Sequence, residues 1–213
     1  MQILVFGDSI TYGAWDIEGG WVARLRRELD ARQLKHPNEY YTVYNLGISG
    51  DTTTDLLKRF WQEATASYRI EDENESGEAM IIFDIGTNDF SVLSGVPKAN
   101  YKEFEQNLRK LSKLAKKLAQ RVIFIGRIPC DEEKTMPVSW DPNLCYNNKS
   151  SKECDLAIKK FCKANKLEFV DVFDKFAASN YKKLLEDGLH PNSKGHKLIF
   201  GLVNDYLKQT KTY

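Results

Sequence analysis

The chain has 213 residues, of which 42% are apolar and 29% charged, enough for one substantial core and short for two. Lysine and arginine (31) nearly balance aspartate and glutamate (30), so a net charge of +1 offers no global field to attract nucleic acid or an anionic membrane. No apolar run approaches the roughly 18 residues of a bilayer span, and Met1 leads straight into an apolar run rather than a basic, hydrophobic leader, so the expected location is cytoplasmic.

The first predicted element is a strand over Gln2–Gly7 that runs into Asp8-Ser9-Ile10. A small polar pair at a strand end reads in two ways, as a terminator with a helix cap or as the seat of a nucleophile. A helix over Trp21–Lys35 follows, with Trp21, Val22, Leu25, Leu29 and Leu34 near one face. The second strand, Tyr41–Leu46, leads into Gly47-Ile48-Ser49-Gly50-Asp51, and a helix over Thr53–Thr65 comes next. The acidic run Glu71–Glu78 is expected to be a solvated loop. The third strand, Met80–Ile85, leads into Gly86-Thr87-Asn88-Asp89.

The most regular helix spans Tyr101–Gln120, where Tyr101, Phe104, Leu108, Leu111, Ala115 and Leu118 recur at spacings of three or four and the lysines fall mostly opposite. After a fourth strand, Arg121–Ile128, the stretch Pro129–Ser150 reads as a long loop carrying Trp140 and Tyr146, and is the candidate specificity element. A helix over Ser151–Asn165, a strand over Glu168–Phe173 and a helix over Ser193–Thr210 complete the chain. Cys130, Cys145, Cys154 and Cys162 form no Cys-x-x-Cys pair and have no histidine nearby. They read as reduced thiols packed like small hydrophobes, and no metal site is expected.

Strands alternating with helices predict an α/β fold of three layers, α/β/α. Its centre is expected to be a flavodoxin-like, five-stranded parallel sheet in the order 2-1-3-4-5, in a single domain over residues 1–213. Such sheets bind ligands beyond the carboxyl ends of their strands, where strand order reverses. The segments after strands one, two and three would meet there: Gly7-Asp8-Ser9, Asn45 to Asp51, and Gly86 to Asp89. Ser9 begins a helix-like turn, Gly50 offers an unobstructed backbone N–H, and Asn88 offers an amide, three donors suited to a tetrahedral oxyanion. The alternative is three ordinary turns and a cap.

A serine nucleophile needs a base. His36 precedes Pro37 in a polar loop and His196 lies in the last helix, where packing or solvation explains each. His190 differs, because Asp187 lies three residues upstream in Asp187-Gly188-Leu189-His190-Pro191, placed to orient its imidazole. Asp8 and Asp89 flank these residues and are expected to hold loops by hydrogen bonds.

Together these segments resemble the SGNH (GDSL-type) hydrolases, whose four blocks match in order: "GDS", the glycine of "NLGISGDTT", the asparagine of "GTND", and the Asp-x-x-His of "DGLHP". The resemblance implies the SGNH-hydrolase fold, a catalytic Ser9 with an Asp187–His190 pair, and an oxyanion hole from Ser9, Gly50 and Asn88. Gly50 rather than Gly47 takes the donor role because "SGDT" is similar to the pattern of the family's bacterial esterases and thioesterases. The implied activity is that of a serine esterase, lipase or acylhydrolase cleaving small or medium acyl esters through an acyl-Ser9 intermediate, without a metal or organic cofactor.

Substrates open at this point are acetylated sugars, lysophospholipids, aryl esters and thioesters, with Tyr12, Trp15 and the Pro129–Ser150 loop as candidate pocket walls. Neither a Gly-x-x-x-x-Gly-Lys-Ser/Thr nor a Gly-x-Gly-x-x-Gly loop is present to favour a nucleotide-binding module of flavodoxin-like fold. The intact set of site residues disfavours a catalytically silent interaction protein.

Overall fold

Leu4 and Phe6 of the first strand enter one hydrophobic cluster, and Ile3 and Val5 enter another. That period of two is what a sheet covered on both faces requires. The structure, a computed structural model, describes residues 1–68 and 78–213, so all of the acidic run Glu71–Glu78 except Glu78 lies outside the described residues. The strands are β1 (Gln2–Gly7), β2 (Thr42–Gly47), β3 (Ala79–Asp84), β4 (Val92–Leu93), β5 (Val96–Pro97), β6 (Arg121–Ile125), β7 (Leu144–Cys145) and β8 (Glu168–Val170). The helices are α1 (Ser9–Tyr12), α2 (Gly20–Lys35), α3 (Thr53–Ser67), α4 (Tyr101–Ala115), α5 (Glu132–Thr135), α6 (Asn148–Ala164), α7 (Phe173–Ala177) and α8 (Ser193–Gln209), with a 3₁₀ turn at Tyr181–Leu184.

The main sheet is parallel in the order β2-β1-β3-β6-β8. Its five strands, taken in chain order, follow the expected 2-1-3-4-5 arrangement, but their numbers differ because three short strands intervene. Those three form a small antiparallel sheet, β5-β4-β7, that the sequence reading lacked. Helices α3, α4 and α6 cover one face of the main sheet around Phe6, Phe60, Phe83, Phe104, Phe124 and Phe161. Helices α2 and α8 cover the other, around Ile3, Val5, Trp21, Leu25, Ile82 and Val203. Among the described residues no helix is long and apolar enough to cross a membrane.

Several boundaries move for local reasons. Helix α4 stops at Ala115, not Gln120, because its last amides tighten to shorter bonds (Lys117 to Leu114 and Leu118 to Ala115) as the chain turns into β6. β6 stops at Ile125, not Ile128, and beyond it Arg127 turns inward to Asp84. β8 stops at Val170, because Phe173 opens α7 and Phe176 packs in the core. Leu34 is exposed, since five residues past Leu29 it has rotated off the apolar face of α2. Within Pro129–Ser150 the chain forms α5 and β7 and then enters α6 at Asn148. Asn100, Asn147 and Asn192 cap α4, α6 and α8 through their side chains, and Thr52 with Asp55 makes a reciprocal capping box on α3.

The register of the sheet positions everything that follows. Gly7 pairs with Gly47 on one side and Asp84 on the other, so three loops leave the sheet at one level. A Cβ on Gly7 would lie 1.9 Å from Thr11 Oγ1 and 2.3 Å from the Asp84 carbonyl oxygen, so only glycine lets α1 settle on the sheet edge. Gly201, midway along α8, has no such neighbour within 4 Å. In thermal or urea unfolding, Gly7→Ala is expected to destabilise the protein by about 3 kcal/mol. Gly201→Ala is expected to be neutral or to stabilise it by up to about 1 kcal/mol. Equal effects would refute this account of the α1 contact.

Candidate active site

Ser9 is positioned by its neighbours on both sides. Asp8, not Ser9, is the N-cap of α1: its Oδ1 accepts from the Ile10 N–H at 2.9 Å. Ser9 is therefore the first helical residue, and its N–H has no partner within the helix. The Ser9 carbonyl accepts from the N–H groups of Gly13 and Ala14, closing the turn beneath its side chain.

The loop after β8 crosses the rim and places His190 Nε2 at 2.9 Å from Ser9 Oγ. On the other side of the ring, His190 Nδ1 lies 2.7 Å from Asp187 Oδ2. Asp187 Oδ1 accepts from the N–H groups of His190 at 2.8 Å and Leu189 at 3.0 Å. Burial by itself would raise Asp187, but the His190 ring and these two amides outweigh it and hold the carboxyl well below its usual range. The third histidine, His196, is fully buried between α2 and α8, and burial lowers it to about 4. Of the two expected readings, packing or solvation, its burial selects packing.

Gly50 lies in a turn closed by the Asp51 N–H to the Ile48 carbonyl, and its φ of +86° suits the third residue of such a turn. The side chain of Arg59 steadies that loop, bonding Asp51 at 2.7 Å and the carbonyls of Leu46 and Gly7 at 2.9 and 3.1 Å. Asn88 gives one amide hydrogen to the Asp51 carbonyl at 2.9 Å, and its Oδ1 accepts from the Tyr146 hydroxyl at 2.8 Å. The Asp51 carbonyl, which can only accept, sets which end of the amide is nitrogen, and the phenol anchors the oxygen while one N–H stays free. Burial also pushes the Tyr146 hydroxyl well above its usual range, so it stays a donor.

The two flanking aspartates hold loops, as expected. Asp89 accepts from the N–H and hydroxyl of Thr53 at the start of α3, and burial raises it to about 6. Asp8 is fully buried beside Asp84, and burial together with that second carboxylate raises it to about 7 despite the nearby Arg127.

Ser9, Gly50, Asn88, Tyr146 and His190 line one cleft of about 500 Å³, walled by Tyr12, Trp15 and Trp140. The expected wall residues are thus present, and the Pro129–Ser150 segment supplies Trp140 and Tyr146. A larger groove of about 790 Å³ runs between the β4–β5 hairpin, α4 and α6, and none of the expected site residues reaches it. The roles of Tyr146, Arg59 and Arg127 escaped the sequence reading: Tyr146 meets Asn88 and Arg127 meets Asp84 far along the chain, and Arg59 links the nearby Asp51 to the distant Gly7 carbonyl. In chemical terms the cleft joins a hydroxyl, an imidazole and a carboxylate in series beside N–H groups on three loops, as acyl transfer requires.

Comparison with known proteins gives the family and the fold. The profile of the GDSL-like lipase/acylhydrolase family matches residues 5–198. The chain is 26% identical over 218 residues to the isoamyl acetate-hydrolyzing esterase of Saccharomyces cerevisiae, spanning all of this chain and 87% of that one. Its fold is similar to the lipase/acylhydrolase from Enterococcus faecalis (TM-score 0.72, 26% identity, 98% of this chain and 96% of that one). It also resembles the acetylxylan esterase Axe2 from Geobacillus stearothermophilus (TM-score 0.69, 21% identity, 97% and 92%).

Two expectations follow from the site geometry. Tyr146→Phe frees the Asn88 amide and is expected to lower kcat for an ester substrate about tenfold with little change in KM, a loss of order 1.5 kcal/mol. An unchanged kcat would show that the phenol does not hold the amide. The second concerns Asp8, whose folded value near 7 lies above the unfolded 3.8. The native state then binds the extra proton, so this contribution is complete below about pH 4 and is lost as pH rises through about 7. Asp8→Asn removes that linkage, and its urea midpoint is expected to gain on the wild type between pH 4.5 and 7.5. Parallel profiles would place a permanently ionised carboxylate at Asp8.

Proposed function

The chain belongs to the GDSL-like lipase/acylhydrolase family and is an ester-bond hydrolase, and we propose that it cleaves small or medium acyl esters through an acyl-Ser9 intermediate. The observation that carries this reading is the continuous series from Ser9 Oγ to His190 at 2.9 Å and from His190 to Asp187 at 2.7 Å. In the proposed first step His190 Nε2 takes the proton as Ser9 Oγ attacks the ester carbonyl, and Asp187 stabilises the imidazolium. The developing oxyanion receives the Ser9 N–H, the Gly50 N–H and the Asn88 N–H that Tyr146 leaves free. Such donors act on charge that exists only in the transition state, and each typically contributes a few kcal/mol. The alcohol departs with the proton from His190. Water, activated by the same imidazole, then frees the acid and regenerates Ser9. One hydrolase domain over residues 1–213 would contain the whole apparatus.

The names of the yeast relative and of the Geobacillus neighbour both refer to acetyl esters. The cleft of about 500 Å³ is open and walled by aromatic rings. Both support a short acyl group on the serine, with the larger part of the substrate as the leaving alcohol.

Treatment with a fluorophosphonate followed by peptide mass mapping tests the nucleophile. The adduct is expected on Ser9, and Ser9→Ala is expected to lower hydrolysis of p-nitrophenyl acetate by roughly a thousandfold or more. An adduct elsewhere, or full activity in Ser9→Ala, overturns the reading. Across p-nitrophenyl esters of increasing chain length, kcat/KM is expected to be highest for the shortest acyl groups.

A further inference from the structure

Trp15 combines features that a pocket wall does not need. It lies between α1 and α2 with a φ of +66°, a left-handed conformation that costs a bulky side chain free energy. The residue is 66% exposed. Packing therefore does not explain why the backbone holds this shape.

The loop is nonetheless firmly tied at both ends. Immediately before Trp15, the N–H groups of Gly13 and Ala14 bond the carbonyl of Ser9 itself. Immediately after it, Asp16 is buried, pairs with Arg24 and accepts from the N–H groups of Glu18 at 3.1 Å and Gly20 at 3.2 Å.

What this conformation achieves is a hydrogen bond. Trp15 Nε1–H donates to Asp187 Oδ2 at 2.9 Å, with His190 Nδ1 also within reach at 3.2 Å, and its ring meets His190 edge-on with centroids 5.9 Å apart. The same Oδ2 receives His190 Nδ1, while Oδ1 takes two backbone N–H groups. An indole N–H is a donor only, so with a proton on Nδ1 both groups must converge on that one oxygen. Without the indole, Oδ2 would keep the imidazole as its sole protein partner on the side that faces water.

We propose that Trp15 is a positioning residue, its indole N–H fixing the Asp187 carboxylate against His190 and its ring excluding water from that pair. The inference rests on the acyl-Ser9 reading above. It makes the loop from Ser9 to Asp16 a clamp: one end carries the nucleophile and the other orients the carboxylate behind the base. Trp15 would then act on the chemical step through Asp187 and not on ester binding.

A double-mutant cycle tests this, with p-nitrophenyl acetate as substrate and thermal unfolding to verify each fold. Trp15→Phe keeps a ring and removes the N–H, and is expected to lower kcat about tenfold while KM stays within about twofold. In an Asp187→Ala background the same change is expected to alter kcat by less than about twofold, because the group it acts through is gone. A raised KM with unchanged kcat, or the same factor in both backgrounds, overturns the proposal in favour of a plain wall.

Amide and indole ¹⁵N–¹H spectra of the wild type and of Asp187→Ala give a second reading that does not require a folded Trp15 variant. One of the four indole signals is expected to move upfield when the carboxylate is removed, and four unmoved signals overturn the proposal. Ser9→Ala in the same assay separates the two levels. Full activity there removes the serine reading and the clamp with it. An inactive Ser9→Ala beside an additive Trp15–Asp187 pair removes the clamp alone.

Discussion

The buried carboxylate of Asp84 is the point from which the rim of the sheet is organised. At the end of β3 it accepts from Thr11 Oγ1 at 2.9 Å, Trp21 Nε1 at 3.0 Å and Arg127 Nη2 at 2.5 Å. One side chain thus joins the short helix that begins with Ser9, the helix that covers one sheet face, and the segment leaving β6. Both ions of the Asp84–Arg127 pair are almost wholly removed from water. Such a pair adds little net stability, yet losing one partner typically costs about 3–5 kcal/mol, because the other charge is then stranded. The cluster therefore acts as a constraint on geometry. Burial first, and then this cluster, raise Asp8: a buried second carboxylate beside a single guanidinium is neutralised more cheaply by a proton than by sharing the ion pair.

On that base the cleft has two unlike sides. The side proposed to hold the oxyanion is made of groups fixed by other groups: Gly50 by its turn and by Arg59 through Asp51, Asn88 by Tyr146 and the Asp51 carbonyl. Preset dipoles need no reorganisation when charge develops, which is where their catalytic worth arises. The other side presents the exposed rings of Tyr12, Trp15 and Trp140. Those rings make few hydrogen bonds and leave the shape of the alcohol loosely specified. The divided character of the cleft suits a common reaction at the carbonyl with tolerance for what is attached to it.

How much of this was legible in the chain varies with the distance over which a signal acts. The five strands of the main sheet and the helices between them announce themselves through local periodicity, and their errors are confined to ends, where a turn toward a distant partner wins over pattern. The exposed Leu34 shows the same limit within one helix. Strands β4, β5 and β7 have two residues each and exist only because they pair with one another across the chain, so no window of sequence could reveal them. The cap at Asp8 is a matter of one residue: Asp and Ser serve equally well by propensity, and only the path of the backbone assigns the role.

By itself the sequence determined the alternation of strands and helices and the small polar segments at three strand ends. It also determined the pairing of Asp187 with His190 within four residues, because all of these rest on neighbours in the chain. Tertiary structure alone decided that Ser9 Oγ meets an imidazole 181 positions away. It decided likewise that Tyr146 orients Asn88, that Trp15 reaches Asp187, and that Arg127 is buried against Asp84. Each of those contacts joins elements that only strand pairing across the chain brings together. A hydrogen bond carries no trace in the sequence around either partner when what sets it is the register of a sheet.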